Sequence, residues 1–167
     1  MDLFIQIIGF IGIIIWLSSI LKKRKSDILI YQGVANLFIS LQFFLLKVYT
    51  AASMNFTTVI RSFVFYNYSK KNKLIPKYWL YIFLLITYVF AIITFDGYLS
   101  LIPIIISTMY IVTSWLRDTK WLRLFYVIAA FIWIYYNYSV KAYAILIGNI
   151  FEIITGLYSI FKFSKDK

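Results

Sequence analysis

The sequence predicts an all-α integral membrane protein with seven transmembrane helices and no soluble domain. Of its 167 residues, 63% are hydrophobic, 22% aromatic and 14% charged, and the mean hydropathy is +0.85. Soluble domains are about 45–50% apolar and about 25% charged, so a single soluble core could not bury this much apolar surface. A helix that spans a bilayer needs about 20 apolar residues, and seven such runs fit within the chain.

The apolar runs follow one another along the chain, separated by short polar turns. We expect helices at 3–21, 27–46, 48–68, 77–95, 98–116, 121–139 and 142–162. Fourteen of the seventeen basic residues lie in the first, third and fifth turns and in the tail. The tail holds Lys162, Lys165 and Lys167. The other three turns hold only two basic residues. The positive-inside rule therefore predicts an N-terminus outside and a C-terminus in the cytoplasm.

Composition also bounds the setting and the partners. The excess of lysine over arginine, with abundant Ile, Phe, Tyr and Asn, is typical of a bacterial genome rich in A and T, so we expect a multi-pass protein of the bacterial plasma (inner) membrane. The net charge of +11 lies in turns beside the predicted spans. Such turns face anionic lipid, so the lipid bilayer is an expected partner and nucleic acid is not.

The residue inventory argues against an enzyme and against a cofactor or metal. The chain has no cysteine and no histidine, which excludes disulfides, thiol catalysis and most zinc sites. Only one of the six acids lies well inside an apolar run, and that residue is Glu152; the others are Asp2, Asp27, Asp96, Asp118 and Asp166. An intramembrane enzyme would need a second acid or a nucleophile near Glu152.

A shift of 94 residues superposes two parts of the chain. Lys47-Val48-Tyr49 falls on Lys141-Ala142-Tyr143, and Asn55 falls on Asn149. Helices one to three have the same orientation as helices five to seven, and the fourth reverses the chain between them. The sequence thus predicts one membrane domain, 1–167, with parallel repeats at 1–70 and 98–167 and a linker helix in 71–97. Such 3+1+3 bundles place a substrate site near the midplane between their halves.

Several scattered positions carry a resemblance to a known family. They are the basic turn after the first helix, Arg61, Trp133 with Tyr136-Asn137, and Glu152. On these positions the chain resembles the bacterial inner membrane YgjV-like family over nearly its whole length. Its layout resembles, more distantly, the SWEET and PQ-loop superfamily of seven-helix transporters.

The chain departs from that superfamily at its name-giving motif. Trp16-Leu17-Ser18-Ser19 stands where the proline-glutamine pair would be, and Pro103 is followed by Ile104. Proline frees a backbone carbonyl and lets a helix kink, so a hinge here would work differently.

Asn55, Asn149 and Glu152 are the first candidate site residues. The resemblance to SWEET-like carriers implies that asparagines at these places face the central cavity, and a carboxamide both donates and accepts hydrogen bonds. The alternative is that each asparagine bonds a neighbouring helix. A buried charge such as Glu152 is costly and should face a cavity or a partner. Glu152 could carry a proton, bind a cation or pair with Arg61, which could instead extend towards the cytoplasm.

Trp16, Asn36, Trp133 and Asn137 complete the candidate set. An indole that lines a cavity stacks well on a sugar or a base, whereas most aromatic residues in such a chain contact lipid or pack the bundle.

The leading functional hypothesis is a transporter that moves a small polar solute, such as a sugar, nucleoside or vitamin-like molecule, by alternating access. The alternative is a non-transporting membrane binding or assembly protein that retains the fold. Transport predicts a polar cavity lined by Asn55, Asn149 and Glu152, and the alternative predicts a closed centre in which these groups bond one another. A homo-oligomer is compatible with either.

Overall fold

The computed structural model describes residues 3–164, with side chains up to Lys162, and folds this part of the chain into seven α-helices without strands. The seven predicted helices are confirmed to within a few residues. Asp2, Lys165, Asp166 and Lys167, which entered the charge analysis, lie outside the described residues. The helices are α1 (Leu3–Ile20), α2 (Lys25–Leu45), α3 (Tyr49–Lys70), α4 (Lys77–Thr94), α5 (Leu101–Trp115), α6 (Thr119–Ser139) and α7 (Tyr143–Ser164).

Five stretches are long and apolar enough to cross a membrane: α1, α2, α4, α7 up to Lys162, and Tyr98–Trp115, which contains α5. The helices α3 and α6 fall outside this set. Both contain buried basic and polar residues, among them Arg61 in α3 and Arg123 in α6. An α-helix satisfies the hydrogen bonds of its own backbone whatever its side chains are. Helices α3 and α6 can therefore lie in the bundle although they are less apolar than the other five.

Two lysines end α2 and α6 in the same way. Lys47 and Lys141 have φ angles of 61° and 60°, the left-handed conformation that often follows a helix. The next residue bonds back to the helix in both turns, with Val48 N 2.9 Å from Phe43 O and Ala142 N 2.9 Å from Asn137 O. The lysines lie 94 residues apart, and the bounds of α2 and α3 recur in α6 and α7 at the same offset.

The α4–α5 connection departs from the expected helix over 98–116. A 3-10 turn at Tyr98–Ser100 precedes α5, and Gly97 before it has a φ of 80°, which glycine adopts without strain. The chain therefore enters α5 through a tight turn.

The helices form two groups joined along two seams. In the first group α2 packs on α1 and α3, and in the second α6 packs on α5 and α7. The seams are formed by α1 against α7 and by α3 against α5. The helix α4 is peripheral, packs mainly on α3 and α5, and buries only Phe83, Thr87 and Ala91. Its outer face is apolar, with Ile92 81% exposed, as expected for contact with lipid.

Candidate functional site

A cavity of about 50 Å³ lies between the two groups of helices, and six of the seven helices contribute to its wall. The peripheral helix α4 contributes none of the lining residues. The wall combines apolar side chains with carboxamides, hydroxyls, two indoles and one carboxylate. The lining residues are Ile13, Trp16, Asn36, Ile39, Phe43, Met54, Asn55, Thr58, Pro103, Ser107, Tyr110, Trp133, Ile145, Asn149 and Glu152.

Six of the eight candidate residues from the sequence line this cavity. They are Trp16, Asn36, Asn55, Trp133, Asn149 and Glu152. The other two, Arg61 and Asn137, are buried in the bundle but are not part of the cavity wall.

Glu152 is the centre of a hydrogen-bond network that joins three helices. Its two carboxylate oxygens accept hydrogen bonds from Trp16 Nε1 in α1 at 2.8 Å and from Asn149 Nδ2 one turn earlier in α7 at 2.9 Å. Asn149 Oδ1 in turn accepts from Asn137 Nδ2 in α6 at 2.8 Å. Asn137 therefore supports the cavity wall through Asn149. A carboxylate held by two donors is partly compensated for its loss of water.

The carboxamides and the hydroxyl that α2 and α3 contribute to the cavity wall bond only within their own helices among the described residues. Asn55 Nδ2 donates to the backbone carbonyl four residues earlier at 2.7 Å, and Thr58 Oγ1 does the same at 3.1 Å. Asn36 Nδ2 also bonds to its own helix, at 2.8 Å. These bonds leave the carbonyl oxygens of both asparagines available in the cavity.

Arg61 does not form the ion pair that the sequence left open. The residue is 1% exposed, and among the described residues no salt bridge joins it to Glu152. Glu152 is instead held by Trp16 and Asn149. The offset of 94 residues places Thr58, not Arg61, at the position of Glu152, so Arg61 lies one helical turn further along α3. Its side chain is buried in the bundle, and its extension towards the cytoplasm stays a prediction.

The two indoles have different surroundings. Trp16 makes edge-on contacts with Tyr110 and Tyr126, at ring separations of 5.9 and 5.4 Å. Trp133 stacks on Phe43 at 6.3 Å and contacts Tyr136 edge-on at 5.2 Å. Both rings are thus fixed by packing while one side of each lines the cavity.

Ten of the fifteen lining residues form five pairs whose members are 94 residues apart. A residue of α1, α2 or α3 therefore has its counterpart in α5, α6 or α7 on the same cavity. The pairs are Ile13–Ser107, Trp16–Tyr110, Ile39–Trp133, Asn55–Asn149 and Thr58–Glu152.

Sequence analysis missed Thr58, Ser107 and Tyr110 as site residues. A signal for two of them was available, because the offset of 94 carries Glu152 to Thr58 and Trp16 to Tyr110. Ser107 had no such signal, since its counterpart, Ile13, is an aliphatic residue that is common in any membrane helix.

Hydrogen bonds cross between the groups at the end of the bundle that bears the basic turns. Lys25 Nζ donates to Leu116 O, just after α5, at 2.5 Å. Arg123 donates to Ile20 O and Lys22 O, at the end of α1, both at 2.6 Å. The acceptors Lys22 and Leu116 are 94 residues apart. In each case a cation from one group stabilises the negative end of a helix in the other.

A second set of bonds crosses between the groups at the opposite end. Gln6 Oε1 in α1 accepts from Ala144 N in α7 at 3.0 Å. The Thr50 hydroxyl in α3 lies 3.1 Å from the Ser100 hydroxyl just before α5. The two contacts are related by the offset of 94 residues. Ser100 is the counterpart of Gln6, and Ala144 is the counterpart of Thr50. The two groups are thus bridged by hydrogen bonds at both ends of the bundle.

A helical bundle with this apolar outer surface and five membrane-spanning stretches defines a multi-pass membrane protein. The chain belongs to the Imp-YgjV family of bacterial inner membrane proteins, whose family model matches residues 3–167. The expected location in the bacterial inner membrane is thereby confirmed. Comparisons with curated proteins and with solved structures gave no match.

Proposed function

We propose that the protein moves a small polar solute across the inner membrane by alternating access, without acting as an enzyme. The observation that carries this proposal is the cavity between the two groups of helices, lined by five residue pairs at one offset. Transporters with internal repeats bind their substrates at such a junction. The wall offers donors and acceptors from Asn55 and Asn149 and indole faces from Trp16 and Trp133, which suits a sugar, nucleoside or vitamin-like solute.

The proposal includes a 3+1+3 arrangement of parallel repeats, as in SWEET-like carriers, with the N-terminus outside and the C-terminus in the cytoplasm. The repeats comprise 1–70 and 98–167, and 71–97 links them within one membrane domain. The matching helix bounds, the paired left-handed lysines and the exchangeable contacts at Gln6 and Thr50 support this arrangement.

Alternating access would proceed by breaking the bridging bonds at one end while those at the other end remain. At about 50 Å³ the cavity holds a few water molecules, whereas ligand sites usually measure about 300–1,000 Å³. Solute binding therefore requires the two groups to separate. The links from Lys25 and Arg123 are candidates for the inner gate, and those of Gln6 and Thr50 for the outer gate.

One observation favours the alternative, a membrane binding or assembly protein that keeps the fold without transporting. Asn149 and Glu152 bond each other, as that hypothesis expects. Asn55 distinguishes the two, because its carboxamide lines the cavity and has no hydrogen bond to another helix among the described residues.

A solute screen tests whether the cavity is a binding site. Thermal unfolding of the purified protein in detergent would be measured with sugars, nucleosides, vitamins and amino acids. The Asn55→Ala, Asn149→Ala double variant and an Asn67→Ala variant, changed at an exposed position of α3, serve as comparisons. Stabilisation by one solute class that is lost only in the double variant supports transport. Stabilisation by none, with a strongly destabilised double variant, favours the alternative.

Because the chain has no cysteine, a single Ser107→Cys variant reports access to the cavity. In membrane vesicles of both orientations, a transporter should be labelled at this position by an impermeant maleimide from either side. A protein with a permanently closed centre should be labelled from neither side. The same reagents at Lys71→Cys and Asp96→Cys, both exposed, test the proposed orientation, with the cytoplasmic side expected for position 71 and the outer side for position 96.

A further inference from the structure

Within the part of the chain that the structure describes, Arg61 is a buried cation without a counter-charge. The side chain is 1% exposed, and its Nε and Nη1 atoms are fully buried with no hydrogen-bond partner among the described residues. The carboxylate of Glu152 bonds to other groups. An unpaired charge in a protein interior raises the free energy of the folded state. An anion that binds to the charge would offset this free energy.

Two phenols lie within electrostatic range of Arg61, those of Tyr110 and Tyr126. In the described part of the chain, the Tyr110 hydroxyl is buried without a hydrogen-bond partner, and the Tyr126 hydroxyl accepts from Gln32 Nε2. Two more buried hydroxyls without a partner there follow along the same helices, Ser62 directly after Arg61 in α3 and Ser114 one turn beyond Tyr110 in α5. The helices α3 and α5 pack against each other. A guanidinium accompanied by unused hydroxyl donors matches an anion.

This cluster is continuous with the cavity. Thr58, one turn before Arg61 on α3, lines the cavity, and so does Tyr110. Arg61 therefore lies one turn from the cavity wall, on the side of the basic turns. A solute in the cavity could extend an anionic group towards it while its neutral part remains between Asn55 and Asn149.

We propose that Arg61 binds an anionic group, a carboxylate or a phosphate, on the solute that enters the cavity. The proposal rests on the function proposed above and narrows its substrate class to small organic anions. The guanidinium, whose Nε and Nη1 have no partner among the described residues, would supply charge-assisted donors to such a group. The Tyr110 hydroxyl, within electrostatic range of Arg61, would supply a further donor.

The test compares anions with neutral molecules of the same shape. Thermal unfolding of the purified full-length protein would be measured with acetate against acetamide, with lactate against lactamide, and with inorganic phosphate. Ionic strength would be held constant with a bulky sulfonate buffer. At least one of the three anions is expected to raise the Tm, and the matched amides are not. A wild-type protein that none of the anions stabilises would overturn the proposal.

Three variants connect the effect to Arg61. Arg61→Met should weaken the apparent affinity for the stabilising anion by about 10- to 100-fold, and Arg61→Lys, which keeps the charge but not the planar fork, by less. Lys71→Met is the matched control, because it removes one positive charge from an exposed turn outside both proposed gates. It should leave both the Tm without ligand and the anion-dependent rise unchanged.

The variants also separate anion binding from a structural role. An uncompensated charge is a burden in the free protein, so Arg61→Met should unfold without ligand at the same temperature as the wild type or higher. A large fall in Tm, or an anion effect that survives in Arg61→Met, would contradict the proposal. Neutral solutes that stabilise through Asn55 and Asn149, with no preference for anions, would leave the transport proposal standing and overturn only this one.

Discussion

The helices α3 and α7 have the same length and the same position in the two halves of the chain, but they use their polar residues in opposite ways. In α7, Asn149 and Glu152 bond to α6 and α1. In α3, Asn55 and Thr58 bond only to their own backbone. Two helices of the same length and position can therefore carry different polar contacts. These two residues of α7 bond to other helices, and the two of α3 bond within their own helix and stay open to other partners.

The two helices also differ in charge. The α7 position that corresponds to Thr58 holds Glu152, and the α3 position that corresponds to Thr155 holds Arg61. The carboxylate has two donors, whereas two nitrogens of the guanidinium have no acceptor. At this depth the polar residues of α7 therefore join three helices, whereas those of α3 have no hydrogen bond to another helix among the described residues.

The largest expected effect comes from removing the asparagine of one helix at a time. Asn149→Leu leaves Asn137 Nδ2 and one Glu152 oxygen without partners, and each such buried group costs about 1–3 kcal/mol. We expect a loss of about 2–4 kcal/mol in the free energy of unfolding, measured by SDS-induced unfolding in mixed micelles. Asn55→Leu should cost less than about 1 kcal/mol, because the carbonyl it bonds already accepts a helical hydrogen bond. Equal losses would show that the two helices are equivalent after all.

The seam between α1 and α7 should be more sensitive to added volume than the seam between α3 and α5. A Cβ atom at Gly148 would lie 1.8 Å from Ile13 Cγ1, so Gly148→Ala should destabilise the bundle by about 1–3 kcal/mol. In the seam between α3 and α5, the position that corresponds to Gly148 holds the large Met54, and the position that corresponds to Ile13 holds the small Ser107. The same unfolding assay should show that Ile13→Ala restores stability in the Gly148→Ala background. Ser107→Ala serves as the control and should have little effect. A Gly148→Ala variant as stable as the wild type would contradict the close seam.

Lys25 and Arg123 each bond to carbonyls at the end of a helix in the other group, although the offset of 94 residues does not relate them. Removing each cation tests whether these bonds form a gate. Arg123→Met removes two charge-assisted bonds to the end of α1. The labelling rate of Ser107→Cys from that end should rise about tenfold, which corresponds to about 1.4 kcal/mol. Lys25→Met should have a smaller effect, because Lys25 is only partly buried. Labelling from the opposite end should stay unchanged in both variants, and an equal rise at both ends would indicate general loosening of the bundle.

The sequence was a good guide to the helices and an incomplete guide to the site. Apolar runs and basic turns located all seven helices, because in lipid the backbone must satisfy its hydrogen bonds internally. Asn55 and Asn149 were found from their match at the offset of 94 residues, and Glu152 was found as the one acid well inside an apolar run. The bond from Trp16 to Glu152 could not be predicted, since it joins residues 136 positions apart and depends on how α1 and α7 are rotated against each other. Likewise, the rotation of α3 within the bundle places Arg61 within electrostatic range of Tyr110 and Tyr126, which the sequence does not reveal.

The smallest expected effect is a gain in stability at the turns after α2 and α6, and it should be equal in both halves. It tests whether the two halves share one backbone conformation. Lys47 and Lys141 both have positive φ angles, a conformation that favours glycine. Lys47→Gly and Lys141→Gly should each raise the free energy of unfolding by about 0.5–1 kcal/mol, because the left-handed conformation costs a lysine about this much. Lys71→Gly removes the same charge at a φ of −89° and should lower stability instead. If only one of the two turns gains stability, the halves differ in backbone as well as in side chains, and the paired turns lose their value as support for a repeat.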